Sequence, residues 1–359
     1  MEQTIQKNNC AVMKKTRELG VEILRILAMF FIVCQHFLNH GGFYDNAQGN
    51  KIFLNIINVL FAPAVNVFVL ISGYFSVHST KFRARKTCLL WLQVLFYSLA
   101  CIPLAKLLGA EIDAKYVRQS FLPVIHNKYW FFTTYFVMCF ITPLLAKLIE
   151  SLSKREHFAV VFGVFLVGYL STRFDIGTVF SLNGGYGVFW VIMLFFIGAF
   201  LKKYPLKINK SILAVVYAIT IGLQLLFKYK MNDTSKLLVK LVYNSTGYLQ
   251  PLTLLVSVCL LLLFLGIETR GGWFGKLLTY LSSCTFGVYL FHEEPAIRSV
   301  LYNLLQTQAY WSSSFSVLIV LAFSAITFAC GVAIESVRKA IFVLITKTFS
   351  RIKNKKERE

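Results

Sequence analysis

Arg25 and His36 are the two residues whose types and setting most clearly invite chemistry, because both lie in the apolar stretch from Leu24 to His36. On a helix the step between them is close to three turns, which places both side chains on one face, about 16 Å apart along the axis. Ionisable groups at membrane depth are costly, and they usually face a protein interior or a wet cavity. Histidine is the side chain best suited to proton exchange near neutral pH, and arginine presents a planar fork that grips anionic groups. Too far apart to touch, the two residues read as two zones of one tunnel. The structural alternative is equally simple. Arg25 can snorkel to headgroups with Glu22 a turn away, and His36 can be a hydrogen-bonded interior histidine.

The elements that position this pair follow from composition. The chain has 359 residues, 57% of them hydrophobic and only 15% charged, with 34 Phe and 17 Tyr. A soluble domain carries nearer a quarter charged residues. Apolar runs of about twenty residues recur at 19–39, 55–76, 88–108, 129–149, 157–172, 186–201, 211–228, 251–267, 277–292 and 313–335. The expected fold is therefore all-α, a polytopic membrane bundle of about ten transmembrane helices. With the N-terminus inside, about 25 of the Lys and Arg residues fall on the inner side, the asymmetry that fixes orientation. Both termini are then cytoplasmic. The net charge of +21 is accounted for by topology, and no nucleic-acid partner is expected.

The expected layout is a basic cytoplasmic arm at 1–18, a transmembrane domain at 19–340 and a basic cytoplasmic tail at 341–359, whose end from Arg351 is expected to be disordered. No cleavable leader, P-loop or internal repeat is visible. The eight cysteines are scattered without a Cys-x-x-Cys pair, so neither disulfides nor a metal cluster is expected. His36 and His40 stand at helical metal-ligand spacing, but no third donor follows nearby, and no metal is expected.

Further motifs line up along the chain. Ser72-Gly73-Tyr74 closes the second span, where small residues usually mean close helix packing but also allow a ligand to approach. Lys81, Arg83, Arg85 and Lys86 form an inner loop that is either an ordinary positive-inside loop or a cradle for the phosphates of a cytoplasmic donor. Trp130 opens the fourth span in Tyr-Trp-Phe-Phe, an interfacial aromatic or a sugar-stacking face. A glycine-rich outer loop at 183–187 and a polar outer segment at 229–250 can shape an acceptor site or merely connect. His292-Glu293-Glu294-Pro295 ends the ninth span, as a structural cap or as part of a site.

These motifs in this order resemble the acyltransferase-3 family of integral membrane acyltransferases, with the resemblance running from about residue 17 to about 340. The features that carry it are Arg25 and His36, the Phe-Val-Leu-Ile-Ser-Gly-Tyr end of the second span, the basic inner loop, Tyr-Trp-Phe-Phe, and Val-Tyr-Leu-Phe-His at 288–292. The resemblance implies a ten-helix bundle that moves an acyl group, usually acetyl, from cytoplasmic acyl-CoA to a hydroxyl of a surface polysaccharide or lipid-linked glycan. It implies a multi-pass protein of a bacterial plasma membrane that uses acyl-CoA as co-substrate and holds no permanent cofactor. Arg25 and His36 are then the catalytic pair, Arg83, Arg85 and Lys86 bind donor, and Ser72, Tyr74, Trp130, His292 and Glu293 support the acceptor or the site. The family's Arg-x-x-Arg is replaced here by Arg83-Ala-Arg85-Lys86, and no extracellular hydrolase-like domain follows the bundle.

Acyl transfer needs a base for the hydroxyl proton and a partner for developing oxyanion charge. His36 fits the base or a covalent relay, and Arg25 is better placed to hold CoA than to serve chemistry at His36. The competing function is a polytopic transporter or flippase of lipid-linked sugars, which would move its substrate unmodified and need no acyl-CoA.

Overall fold

The structure is a computed structural model and describes residues 18–47, 50–174, 182–230, 246–267 and 272–356. Its helices are α1 (Leu19–Asn39), α2 (Phe43–Asn46), α3 (Lys51–Phe61), α4 (Ala64–Ser76), α5 (Ala84–Leu107), α6 (Ala114–Ser120), α7 (Trp130–Ser151), α8 (Lys154–Phe174), α9 (Val188–Lys203), α10 (Lys210–Lys230), α11 (Pro251–Phe264), α12 (Trp273–His292), α13 (Pro295–Leu304) and α14 (Ser316–Lys356). Among the described residues there is no strand.

The ten expected apolar runs fall on helical segments, the second on the α3–α4 pair. Among the described residues, six segments are long and apolar enough to cross a membrane: α1, α3 with α4, α5, α7, Lys210–Tyr229 and Ser316–Thr348. Pro63 breaks the second of these into α3 and α4, since it sits at the N-cap where its missing N–H costs nothing. α9 and α11 are short, at 16 and 14 residues. α8 opens on Lys154, Arg155 and Glu156, and α12 is interrupted by Ser282, Ser283 and Thr285.

The tail departs from expectation. α14 runs unbroken for 41 residues to Lys356, about 60 Å at 1.5 Å per residue and about twice the thickness of a bilayer core. Its charged end continues the helix where a disordered tail is expected. The arm at 1–17 and most of the polar segment at 229–250 lie outside the described residues.

α1 is the axis of the fold. It packs against α3, α4, α11, α12 and α14, and Leu24, Ala28, Val33, Cys34, Phe37 and Leu38 on it are buried. Inside a bilayer, helices gain little from the hydrophobic effect and associate by close packing. The tightest seam follows that rule. Gly73 of α4 lies against the Phe195 carbonyl and Gly198 of α9 against the Leu70 carbonyl, so a Cβ at either would collide with backbone. Ser72-Gly73 thus serves packing through Gly73, while Ser72 keeps a separate place described below.

Candidate active site

A cavity of about 570 Å³ runs along α1. Glu22, Arg25, Met29, Ile32 and His36 form one wall, the stripe that helical spacing predicts. Facing residues come from four other helices: Ser72 of α4, Lys86 and Gln93 of α5, Trp130 and Tyr135 of α7, and Ser282 and Tyr289 of α12. The polar interruptions that make α12 a poor membrane span are therefore the groups it turns toward this space.

At one end, Arg25 pairs with Glu22 at 3.1 Å and lies 5.8 Å from the centre of the Phe75 ring. Glu22 is itself buried and accepts a hydrogen bond from Ser282. The pairing with Glu22, expected on either reading, holds Arg25 in the wall of the cavity. Ser72 Oγ donates to the Phe68 carbonyl at 3.0 Å and lies 3.3 Å from the Tyr135 hydroxyl. A smaller cavity of about 120 Å³ adjoins here, lined by Ser79, Lys81, Arg83, Lys86 and Tyr135. Lys86 and Tyr135 belong to both spaces.

At the other end, His36 meets the close of α12. The sequence shapes that close locally. Glu294 caps α13 by accepting from the Ala296 and Ile297 amides at 2.7 and 3.0 Å, and Pro295 fills the first helical position, where proline is favoured. α12 must therefore stop at His292, and the turn directs His292 and Glu293 at α1. Tyr302 of α13 reaches back to the His36 carbonyl at 3.3 Å.

The hydrogen bonds assign the tautomers. His292 Nδ1 lies 2.6 Å from the Val288 carbonyl, which can only accept, so Nδ1 carries the proton. Nε2 of neutral His292 is then an acceptor, and His36 Nδ1, 2.8 Å away, must donate to it. The His36 nitrogen left with a lone pair is Nε2. Glu293 Oε1 lies 3.2 Å from His36 Nδ1 and 3.9 Å from His40 Nε2, whereas Oε2 is held by Arg298 at 3.3 Å. His292 is 1% exposed and Glu293 7%. Such a ring set, with a carboxylate beside the protonated nitrogen, orients a base and stabilises its imidazolium.

Glu294 anchors this end. Its Oε1 receives Lys128 Nζ at 2.7 Å and the Tyr116 hydroxyl at 2.5 Å, and Lys128 also reaches the Ser98 carbonyl and Ser120 Oγ. A network with every member bonded rigidifies its surroundings.

Of the residues singled out in sequence, Arg25, His36, Ser72, Lys86 and Trp130 share the main cavity, and Arg83 lines the adjoining one. His292 and Glu293 touch His36. Tyr74 and Arg85 are absent from both linings. Tyr74 lies instead beneath Lys202, 4.6 Å from ring centre to Nζ, and Arg85 is exposed. Helix phase separates these neighbours: Tyr74 is about 200° around α4 from Ser72, and Arg85 about 100° around α5 from Lys86. The glycine-rich loop is a short 3₁₀ turn in which Gly185, at φ 96°, is packed against Tyr248. A side chain there would meet both the left-handed backbone and Tyr248.

Arg298 and Lys128, which pair with Glu293 and Glu294, are neighbours of the site that sequence reasoning misses. Lys128 finds its carboxylate only through tertiary structure, and Arg298 reaches Glu293 across the α12–α13 turn, a spacing that gives no helical signal. The expectation that the His36–His40 pair lacks a third donor is also corrected, since Glu293 arrives from α12.

Taken together, a bundle with several membrane-length helices, a cavity buried along its central helix and a histidine–carboxylate cluster in the wall define a multi-pass membrane protein with an enzyme-like site. The model of the acyltransferase domain family, acyltransferase-3, matches residues 18–335, and the chain belongs to that family. It is a membrane acyltransferase. No curated protein matches the chain, and no solved structure does.

Proposed function

We propose that this acyltransferase takes an acyl group, acetyl in the first instance, from cytoplasmic acyl-CoA and delivers it to a hydroxyl of a surface polysaccharide or lipid-linked glycan. The observation that carries the reading is one continuous cavity with Arg25 and Lys86 at one end and His36 at the other. A thioester on the long flexible arm of CoA spans such a distance, about 16 Å along α1. Its phosphates lie near Lys81, Arg83 and Lys86, where the smaller cavity opens. In this reading that end faces the cytoplasm, which the inner excess of Lys and Arg supports, and the membrane is a bacterial plasma membrane.

In the transfer, His36 Nε2 takes the hydroxyl proton of the acceptor as its oxygen attacks the thioester carbonyl. His292 and Glu293 hold the ring and offset its positive charge. Tyr289, in the cavity wall, is the phenol available to the developing oxyanion. Collapse breaks the carbon–sulfur bond, and the imidazolium proton passes to the departing CoA thiolate. A two-step route through acyl-His36 uses the same residues. On the acceptor side, Trp130 stands in a cluster with Tyr186 and Tyr248, their ring centres 4.6 and 5.9 Å from its own, an aromatic surface suited to a sugar face.

The test supplies acetyl-CoA labelled on the acetyl group to membranes carrying wild type or His36→Ala. Label entering the glycan fraction only with wild type supports the reading. Transfer retained by His36→Ala at normal expression overturns the role of His36. Absence of transfer from any acyl donor in membranes rich in acceptor overturns the function. Family membership does not favour the transporter alternative.

A further inference from the structure

The geometry points to a transition-metal site at His36, His40 and Glu293, of the zinc-binding class, whose occupation silences the base. Two independent observations meet here. His36 Nδ1, His40 Nε2 and Glu293 Oε1 each offer one donor atom, and all lie within 4.8 Å of one another. Glu293 is also buried with Oε1 making no hydrogen bond, although two imidazoles stand 3.2 and 3.9 Å away. A buried carboxylate oxygen left this way is costly, and an ion between the three groups would satisfy it.

The two separations to Glu293 approach those of a small tetrahedral ion, and the two imidazole nitrogens, within 4.8 Å of one another, close on it by rotation of the exposed His40 ring. Donors about 2.0–2.1 Å from zinc are about 3.3 Å apart at tetrahedral angles, close to the His36–Glu293 separation and slightly inside that of His40. Two imidazoles and a carboxylate favour zinc-like ions over magnesium or calcium, which prefer all-oxygen sets. α1 supplies two of the donors from consecutive turns, and the end of α12 supplies the third. Arg298 fixes the carboxylate through Oε2, which leaves Oε1 facing the rings but places a positive charge beside the ion. His40 is 42% exposed at its side chain, which gives an ion a way in.

Binding and catalysis exclude each other at one atom. In the hydrogen-bonded state, His36 keeps its proton on Nδ1 and its lone pair on Nε2. A metal on Nδ1 moves that proton to Nε2, with no net proton gained or lost, and the ring can no longer accept one from a hydroxyl. The bond from His36 to His292 is broken in the same step, leaving the His292 Nε2 lone pair, 2.8 Å from His36 Nδ1, beside the ion as a further donor.

The experiment uses the purified full chain in detergent, stripped with chelator and dialysed against zinc chloride. One zinc per chain is expected for wild type. His40→Ala and Glu293→Gln should each weaken binding on the order of 100-fold, the scale on which shells around a metal act, while Arg25→Ala, about 16 Å distant, should bind as wild type. Absence of binding in wild type at micromolar zinc, or unchanged binding in His40→Ala, overturns the site. The inhibitory half rests on the acyl-transfer reading and is tested separately. Zinc should stop labelling by wild type and leave His40→Ala active, and equal inhibition of both overturns it. Should no transfer be measurable at all, dialysis still decides the metal site.

Discussion

Glu293 and Glu294 are neighbours in the chain, both buried, and they are treated in opposite ways. Glu294 is saturated: Lys128 and Tyr116 hold one oxygen, and two helix amides hold the other. Glu293 gives Oε2 to a half-exposed arginine and leaves Oε1 without a hydrogen bond, facing two histidines. Burial alone therefore says little about role. A carboxylate whose every lone pair is occupied has no capacity left for a reaction and acts as an anchor. One with a lone pair held open beside a base can respond when that base gains a proton. The anchor makes the response possible, because the turn that Glu294 caps is what brings Glu293 to His36.

The contrast predicts distinct failures, the largest at His36 itself. Removing a positioned general base costs about 10²–10⁴ in rate. His36→Ala should lose transfer on that scale with the melting temperature nearly unchanged, as read by labelled transfer and thermal denaturation of the same preparation. Next is the anchor. Lys128→Met leaves the Glu294 charge buried without its cation, and breaking one side of a buried pair costs about 3–5 kcal/mol. The signature should be inverted: lowered melting temperature and yield, with transfer per folded molecule reduced only as far as the α12–α13 turn loosens. A Lys128→Met variant as stable as wild type would remove the anchor from the comparison.

How much of this was legible in sequence follows the range of each interaction. Arg25 and His36 could be placed on one wall because helical phase is a local property, and the structure puts both in the cavity lining. His292, Glu293 and Glu294 stand together in the chain, yet which carboxylate anchors and which faces the base depends on Lys128 and on His36, both far away in sequence. Tyr74 and Arg85 show the converse. A motif groups residues by adjacency, whereas a helix sends neighbours about 100° apart, so Ser72 and Lys86 reach the cavities while Tyr74 and Arg85 do not. The extended α14 was hidden because a basic, polar stretch reads as a tail, although Lys and Arg are good helix formers.

Glu293→Gln sharpens the comparison from the other side. The amide keeps the shape and the contact with Arg298 while losing the charge that offsets the His36 imidazolium. Transfer should fall about 10–100-fold, within the range of a group that orients and supports the base, and stability should change far less than in Lys128→Met. Equal losses of stability in the two variants would mean that both carboxylates are structural.

The smallest effect belongs to the far end of the cavity. Lys86 is exposed, lies on the lining of both spaces and makes no buried pair. A flexible cation of this kind contributes about 1 kcal/mol or less to an ionic contact in water, which is a few-fold in affinity. Lys86→Ala should therefore raise the KM for acetyl-CoA a few-fold and leave kcat unchanged, and the difference should shrink as salt is added because exposed charges are screened. A fall in kcat without a change in KM would place Lys86 near the reacting atoms and join the two ends that the cavity keeps apart. A loss confined to KM would instead show that donor recognition is spread over several weak, solvent-facing cations, while the chemistry rests on a few buried groups at His36.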